Sequence, residues 1–334
     1  MIRGAFIGFG NVAEKGHAPG WRARSDVEIV AATDAAPQRR NAFLAAFPGS
    51  SWRESPQDLL ADEKLDFVDI CAPPGAHAAL ILQGLDAGRH ILSEKPLVTR
   101  IDDVGAIASA AARKGRIVHT VHNWLKAPIC EKISALIDEG AVGTVLNVQW
   151  RTLRTQPAIA VGSSDASNWR VDPDMAGGGI LFDHGWHALY CVARWTGAPS
   201  AISARLEQRR HKDWPLEDTA TVDLETASGT SRIFLTWASD VRQNEIEIEG
   251  AHGRIRVSGP DVLLTSGAGE QRFPCPPALS EGSHHPGWFG GVVDDFVRAM
   301  NGETPSNLEE SLLCAKLIDA AQRSSLACGA RISL

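Results

Sequence analysis

Residues 2–13 read Ile-Arg-Gly-Ala-Phe-Ile-Gly-Phe-Gly-Asn-Val-Ala, and this stretch decides the fold. Ile2–Ile7 is a short apolar run of strand character. Gly8-Phe9-Gly10-Asn11-Val12-Ala13 then has the GxGxxA spacing of a dinucleotide-binding turn between a strand and a helix. In such a turn Gly8 permits the tight bend and Gly10 lets the backbone approach a pyrophosphate. Ala13 is small enough for the helix to pack on the strand, and the N–H groups around Asn11 and Val12 face the phosphates.

The spacing alone recurs in many unrelated chains, so its surroundings matter. A second strand pattern, Val27–Thr33, ends in Asp34, about 20 residues after the fingerprint, where a carboxylate meets the ribose hydroxyls of NAD. Asp34 fits a turn or cap residue equally well. Arg39 and Arg40 follow closely and offer a 2′-phosphate a partner, which leaves NADP open behind NAD.

The alternation continues with helices over Gln38–Phe47 and Pro56–Leu60, a strand at Phe67–Cys71 and a helix at Ala76–Ala87. A strand at His90–Leu92, a helix at Val104–Lys114 and a strand at Ile117–Val121 complete it. Strand and helix in turn, joined by short loops, predict a doubly wound parallel sheet. Ligands bind such sheets at the carboxyl ends of the strands. Two stretches fall there, Ala72-Pro73-Pro74-Gly75-Ala76-His77 and Ser93-Glu94-Lys95-Pro96. From them Ala72, Pro73, His77, Glu94 and Lys95 are the candidate cofactor contacts. A lysine at that place can donate to a substrate hydroxyl, or be a plain loop lysine. His77 fits a helix-start histidine as easily as a ligand contact.

After Asn123 the pattern changes, which predicts two domains, 1–122 and 123–334. Ile129–Glu139 reads as an amphipathic helix. Strand-like runs follow at Val145–Arg154, Ala201–Gln208, Thr219–Glu225, Ser231–Trp237, Glu245–Ile248, Arg254–Val257 and Val262–Thr265. Several alternate apolar with polar residues, as in a mainly antiparallel, open sheet with one packed face. The other face, read as carrying apolar residues too, is the expected surface for a homodimer or homotetramer. Helices over Val292–Met300 and Leu308–Ala327 close the chain.

Gly177–His187, GGGILFDHGWH, interrupts this region. Three glycines mark a turn, and a helix pattern starts directly after them. In an α-helix Asp183 and His187 share one face, continued by Tyr190 and Arg194, with Leu181, Ala188, Val192 and Trp195 opposite. A carboxylate and an imidazole one turn apart suit acid/base work, a metal, or a solvated face. Trp169 and Arg170 precede the turn. Tryptophan can stack on a sugar ring and arginine can bind hydroxyls or a carboxylate, so Asn123, Trp124, Trp169, Arg170 and Trp186 are candidate substrate contacts.

Composition narrows the class. The chain has 334 residues, 44% hydrophobic, with 33 Lys and Arg against 40 Asp and Glu and a net charge of −7. That balance argues against nucleic acid or an anionic membrane as partner. Six scattered cysteines without CxxC spacing read as buried thiols of a reducing compartment, not a zinc site. The N-terminus reads as a strand rather than a signal peptide, and no run is long enough to span a membrane. The expected location is the cytoplasm.

Five ordered features, GFGNVA, APPGAH, SEKP, HNW at 122–124 and WRVDPDMAGGGILFDHGWH at 169–187, make the sequence resemble the Gfo/Idh/MocA family of NAD(P)-dependent sugar and cyclitol oxidoreductases. The resemblance implies a Rossmann domain followed by an α/β domain with a large open antiparallel sheet. It matches Lys95, Asp183 and His187 to the family's catalytic lysine, aspartate and histidine. Tyr190 stands where many members carry Asp, and His184 and Trp186 are bulkier than usual; these departures bear on the substrate. The implied activity is hydride transfer between a secondary alcohol and NAD, without a metal. An NAD-dependent glycosidase or lyase with transient oxidation is the alternative, and a non-catalytic dinucleotide sensor another.

Overall fold

Six parallel strands, in the order β3-β2-β1-β4-β5-β6, organise the first part of the chain. The computed structural model describes residues 1–159 and 168–334. β1 (Ile2–Ile7) pairs with β2 (Val27–Thr33) on one side and β4 (Phe67–Ile70) on the other, so the fingerprint turn leaves the sheet at its centre. β3 (Ser51–Trp52), β5 (His90–Ser93) and β6 (Val118–Thr120) fill the flanks. The connecting helices are α1 (Ala18–Arg22), α2 (Arg40–Ala46), α3 (Pro56–Leu60), α4 (His77–Asp86) and α5 (Asp102–Lys114). This is a Rossmann sheet.

The chain divides into two compact units. Met1–Asn123 and Ser283–Ala315 belong to the first, and Trp124–Ile159, Arg170–Gly282 and Lys316–Leu334 form the second. α9 (Pro286–Met300) therefore returns to the first unit, where Phe289 and Phe296 join Phe6, Phe9, Trp21, Phe43 and Phe67 in one aromatic core. Rings meet edge-on, as at Phe6–Phe9, with centroids 5.2 Å apart. The free edge of β6 is covered by a side chain. Asn307 accepts the Thr120 N–H at 2.8 Å and donates to the Thr120 carbonyl at 2.7 Å, as a neighbouring strand would.

The second unit holds a nine-stranded sheet, in the order β14-β13-β12-β11-β7-β10-β9-β8-β15. β7 (Val145–Leu153) and β10 (Thr230–Thr236) run parallel, and the other neighbours are antiparallel. The strands are β8 (Ala201–Glu207), β9 (Thr219–Glu225), β11 (Gln243–Gly250), β12 (Gly253–Ser258), β13 (Asp261–Ser266), β14 (Gly269–Pro274) and β15 (Ile332–Ser333). Val148, Trp150, Ile233, Leu235, Ile246 and Ile248 turn to the packed face. That face meets α6 (Pro128–Asp138) and α8 (Trp186–Thr196).

Two expectations need correction. The outer face of this sheet is charged rather than apolar. Arg151 pairs with Glu245 at 2.8 Å, Arg232 with Asp223 at 2.6 Å, and Arg254 with Glu249 at 2.9 Å. Phe234 also lies on this face, with the Arg151 and Arg209 guanidiniums 5.8 and 5.6 Å from its ring centre. The thiols are not all buried either, since Cys328 is exposed. Among the described residues no helix is long and apolar enough to cross a membrane.

Candidate active site

In the first unit the fingerprint turn is built around one carboxylate. Asp34 accepts the Phe9 N–H at 2.6 Å through one oxygen and the Ala36 N–H at 2.8 Å through the other. Each oxygen keeps lone pairs for a further donor, as ribose hydroxyls require. Arg39 is committed elsewhere. It donates to the Phe9 carbonyl at 2.6 Å and pairs with Glu14. The two fingerprint glycines have different causes. Gly8 has φ +91° and a Cβ there would lie 2.8 Å from the Ala72 nitrogen, so the chain's own packing demands it. A Cβ at Gly10 meets nothing within 4 Å. Open space beside Gly10 and a carboxylate with spare lone pairs fit NAD.

The helix after Asn11 and Val12 opens with a π turn, Ala13–His17, before α1. Such turns are uncommon and cluster at functional sites. This one delivers His17 into a buried cluster. Its Nδ1–H donates to Asp69 at 2.9 Å and its Nε2–H to Glu94 at 3.0 Å, while Trp21 Nε1 donates to Asp69 at 2.7 Å. Burial works against a charge on His17, but Asp69 and Cys71 together outweigh it and hold the imidazole well above its ordinary range. Burial likewise opposes a charge on Glu94, and His17 overcomes it, keeping the carboxyl low. Cys71, beside His17, is pushed up by burial and then by Asp69, and stays a thiol. His17, Asp69 and Cys71 offer ligand atoms within 4.8 Å of one another. A metal there would have to displace the proton that His17 shares with Asp69.

Glu94 continues this chain to the lysine motif by accepting the Lys95 N–H at 3.0 Å. His77 lies under the same loops. Its two ring nitrogens sit 2.8 Å from the Pro96 and Ala72 carbonyls, joining the APPGAH and SEKP turns. At 0% exposure it is a strut between those turns rather than a surface for a cofactor, which corrects the sequence expectation. Asn123 keeps its Oδ1 buried with no hydrogen-bond partner among the described residues. That atom is an acceptor in wait of a donor.

In the second unit the glycine stretch follows a short helix, α7 (Pro173–Ala176). A Cβ at Gly179 would lie 1.9 Å from the Glu217 carbonyl, so glycine is required by that approach. The motif helix does not start as an α-helix. Leu181–Gly185 is a second π turn, and α8 follows it. Asp183 sits on the wide turn and His187 on the regular one, so the one-face α-helical expectation holds less simply than spacing suggested. Glu217 caps this start, its Oε1 accepting the Leu181 N–H at 3.1 Å. Burial pushes that carboxyl upward.

His187 is held on two sides. Its Nδ1 lies 2.8 Å from the Tyr190 hydroxyl, and its ring stacks on Trp124 with centroids 4.7 Å apart and planes 12° from parallel. Tyr190 also accepts the Trp124 N–H at 3.0 Å. Tyr190, expected on the polar face, is 3% exposed, because its hydroxyl is spent inside the unit. Arg194 does reach the surface and pairs with Asp138 at 2.6 Å. Asp183 Oδ2 lies 3.2 Å from His184 Nδ1. Trp186 is 0% exposed, so it fills the core and presents no ring face to a sugar, contrary to expectation. Trp169 and Arg170 lie on a short 3-10 turn, Trp169–Val171, with Arg170 reaching the Ala158 carbonyl at 3.4 Å.

Sequence reading missed Arg154. It donates to the Leu153 and Gln243 carbonyls at 2.8 and 3.0 Å and to Asn244 at 2.7 Å. Burial, with Arg242 behind it, pushes its guanidinium down to about 9, and the charge of Asp183 opposes this. It remains a cation at neutral pH. A lone arginine at a strand end gives no local signal of this.

Comparisons with known proteins agree with the geometry. Residues 2–122 match a family model described as an oxidoreductase family with an NAD-binding Rossmann fold, and residues 130–256 match the GFO/IDH/MocA C-terminal domain. D-glucoside 3-dehydrogenase of Escherichia coli is 28% identical over 204 residues, covering 60% of this chain and 56% of that protein. Inositol 2-dehydrogenase of Rhizobium meliloti is 25% identical over 337 residues, covering 97% and 96%. A solved structure of levoglucosan dehydrogenase, in complex with NADH and L-sorbose, shares the fold with a TM-score of 0.85 at 20% identity, covering 100% of this chain and 98% of that one.

The contrast between the two fingerprint glycines is testable. Gly10→Ala should leave unfolding free energy within about 0.5 kcal/mol of the unsubstituted protein, as for a change that touches nothing. NAD affinity, read by fluorescence titration, should nevertheless fall by about tenfold or more, some 1.4 kcal/mol. Unchanged NAD affinity in that variant would remove the pyrophosphate from Gly10.

Proposed function

The chain belongs to the Gfo/Idh/MocA family of oxidoreductases, and from that premise we propose that it is a dehydrogenase acting on a secondary alcohol of a sugar, sugar derivative or cyclitol. Lys95, Asp183 and His187 are its catalytic set in this reading. The observation that carries it is the fixing of His187, with Nδ1 against Tyr190 and one ring face on Trp124. A general base must be oriented before it is useful, and a solvated helix face has no reason to hold an imidazole so.

NAD is the cofactor, held by Gly8, Gly10, Asn11, Val12, Ala13 and Asp34, with Ala72, Pro73 and the Glu94–Lys95 turn beside it in the proposal. When bound it supplies the hydride acceptor. His187 takes the hydroxyl proton through Nε2, since Nδ1 is committed to Tyr190. Lys95 donates to the same oxygen and stabilises the negative charge that develops as the proton leaves. Asp183 orients the substrate and sets the charge felt by its neighbours, Arg154 among them. Asn123 Oδ1 accepts a substrate hydroxyl, and Trp124, Trp169 and Arg170 frame the sugar.

The outer face of the nine-stranded sheet, with its lattice of ion pairs, is the surface we assign to self-association. Light scattering at micromolar concentration should find a dimer or tetramer; a monomer would remove that assignment.

NAD should be preferred over NADP by about tenfold or more, near 1.4 kcal/mol, because Asp34 repels a 2′-phosphate. Asp34→Ser should lower NAD affinity without rescuing NADP, since Arg39 is tied to Glu14; adding Glu14→Gln should release it. Equal use of both cofactors by the unsubstituted protein would overturn this.

An NAD-reduction screen over aldoses, inositols, sugar acids and amino sugars tests the activity itself. With the substrate it yields, Lys95→Met and His187→Ala should each lower kcat by about a hundredfold or more, the scale of lost acid/base or oxyanion assistance. NAD affinity should hardly move. Turnover without accumulating NADH would indicate transient oxidation and elimination instead. Near-normal single-turnover rates in both variants would make the residues structural.

A further inference from the structure

The Tyr190 hydroxyl sits 2.8 Å from His187 Nδ1 and 3.0 Å from the Trp124 backbone nitrogen, inside one unit. A phenol has one proton to give and two lone pairs to offer. The Trp124 N–H donates to the phenol oxygen, and toward His187 the hydroxyl can present its proton or a lone pair. The contact can therefore run either way. With the phenol donating, Nδ1 accepts and the imidazole proton sits on Nε2. With Nδ1–H donating, Nε2 keeps a lone pair. Once His187 is protonated both nitrogens carry hydrogen, and Nδ1–H must donate to the phenol oxygen.

We propose that Tyr190 is the positioning residue that orients His187 and sets its basicity. This rests on the reading of His187 as the base. A group behind the imidazole that can only accept, such as a carboxylate, would lock Nε2 as an acceptor and stabilise the cation by a full charge. The neutral phenol accepts Nδ1–H well enough to carry the cation but adds no charge to attract it. It keeps His187 a weaker base, one that releases its proton readily. Trp124 serves the same end, since its N–H turns the phenol oxygen and its ring holds the imidazole plane.

Tyr190 is seen directly against Nδ1, and the ionisable groups on the neighbouring elements include Glu217, which accepts the Leu181 N–H of the π turn, and Arg154, which feels the charge of Asp183. On the π turn, Asp183 is a carboxylate whose Oδ2 lies 3.2 Å from His184 Nδ1 and whose charge reaches Arg154. On α6, Asp138 pairs with Arg194, Lys132 lies 4.0 Å from the Phe273 ring centre, Glu131 is exposed and Cys130 is a buried thiol. On β7, Arg151 pairs with Glu245 on the outer face. α8 itself adds Cys191, a buried thiol.

The test reads the imidazole directly, without substrate or turnover. Carbon-13 histidine labelling follows the ring signals against pH in the whole protein, with His187→Ala assigning the resonance. Tyr190→Asp should raise the His187 midpoint by about one pH unit or more, as an opposite charge at that range does. Tyr190→Phe, which preserves the ring and its packing, should lower it, because the cation loses its Nδ1 acceptor. Thermal unfolding confirms that each variant is folded. If both variants titrate at the wild-type midpoint, Tyr190 is a packing residue and the proposal fails. Loss of the catalytic reading would show instead as full turnover in His187→Ala, which leaves the titration result standing.

Discussion

A charged imidazole enclosed between two carboxylates is the constraint around which the first unit is arranged. His17 donates to Asp69 at the end of β4 and to Glu94 just past β5, so one ring ties the fingerprint helix to two neighbouring strand ends. Taking three ionisable groups out of water is costly, and the cluster is tolerable because every ring N–H and most carboxylate oxygens are spent on a partner. Removing one member would leave an uncompensated charge inside the unit, which is the expensive case. The π turn at Ala13–His17 is the local adjustment that lets His17 reach inward while Asn11 and Val12 stay at the phosphate turn.

From that cluster the constraint passes outward through hydrogen bonds of ordinary length. Glu94 holds the Lys95 N–H, and His77 spans the carbonyls on either side of the same ligand-binding edge. Asp34 does similar work at the first strand pair, holding Phe9 and Ala36 by their amides. Each of these side chains fixes backbone, so the loops at the strand ends are shaped before any ligand arrives. Preformed loops of this kind lower the ordering cost of binding.

Much of this was legible in the sequence, because it follows from period and punctuation. The βα alternation, the GxGxxA turn and the alternating strands of the second unit all carry local signals, and the structure has them within a few residues. β3, β14 and β15 escaped notice for a physical reason. They are two to six residues long, or polar and exposed as in Gly-Glu-Gln-Arg of β14, and exist through pairing with a neighbour rather than through their own pattern. The two π turns escaped because a single widened turn leaves the spacing of apolar residues nearly intact. Arg154, Glu217 and Asp69 were invisible since their roles come from partners far away in sequence. Tyr190 was misplaced by reading the helix as regular from its first residue, and Trp186 by the stacking chemistry of its ring, which suits a substrate contact although the residue is 0% exposed.

The two units fix their key side chains by different chemistry, and the difference suits the work proposed for each. A lysine that donates to a developing anion has no need to change charge during the reaction, so an ionic scaffold behind its loop is an asset. Glu94 and His17 are such a scaffold, charged and rigid. A base that must take a proton and release it again is poorly served by a permanent countercharge, which would hold the proton. His187 is supported by a phenol and an indole ring instead, both neutral and both fixing its orientation. A phenol partner can take or give the Nδ1 hydrogen bond as the ring gains and loses its proton, which is what the base role proposed for His187 asks of its support.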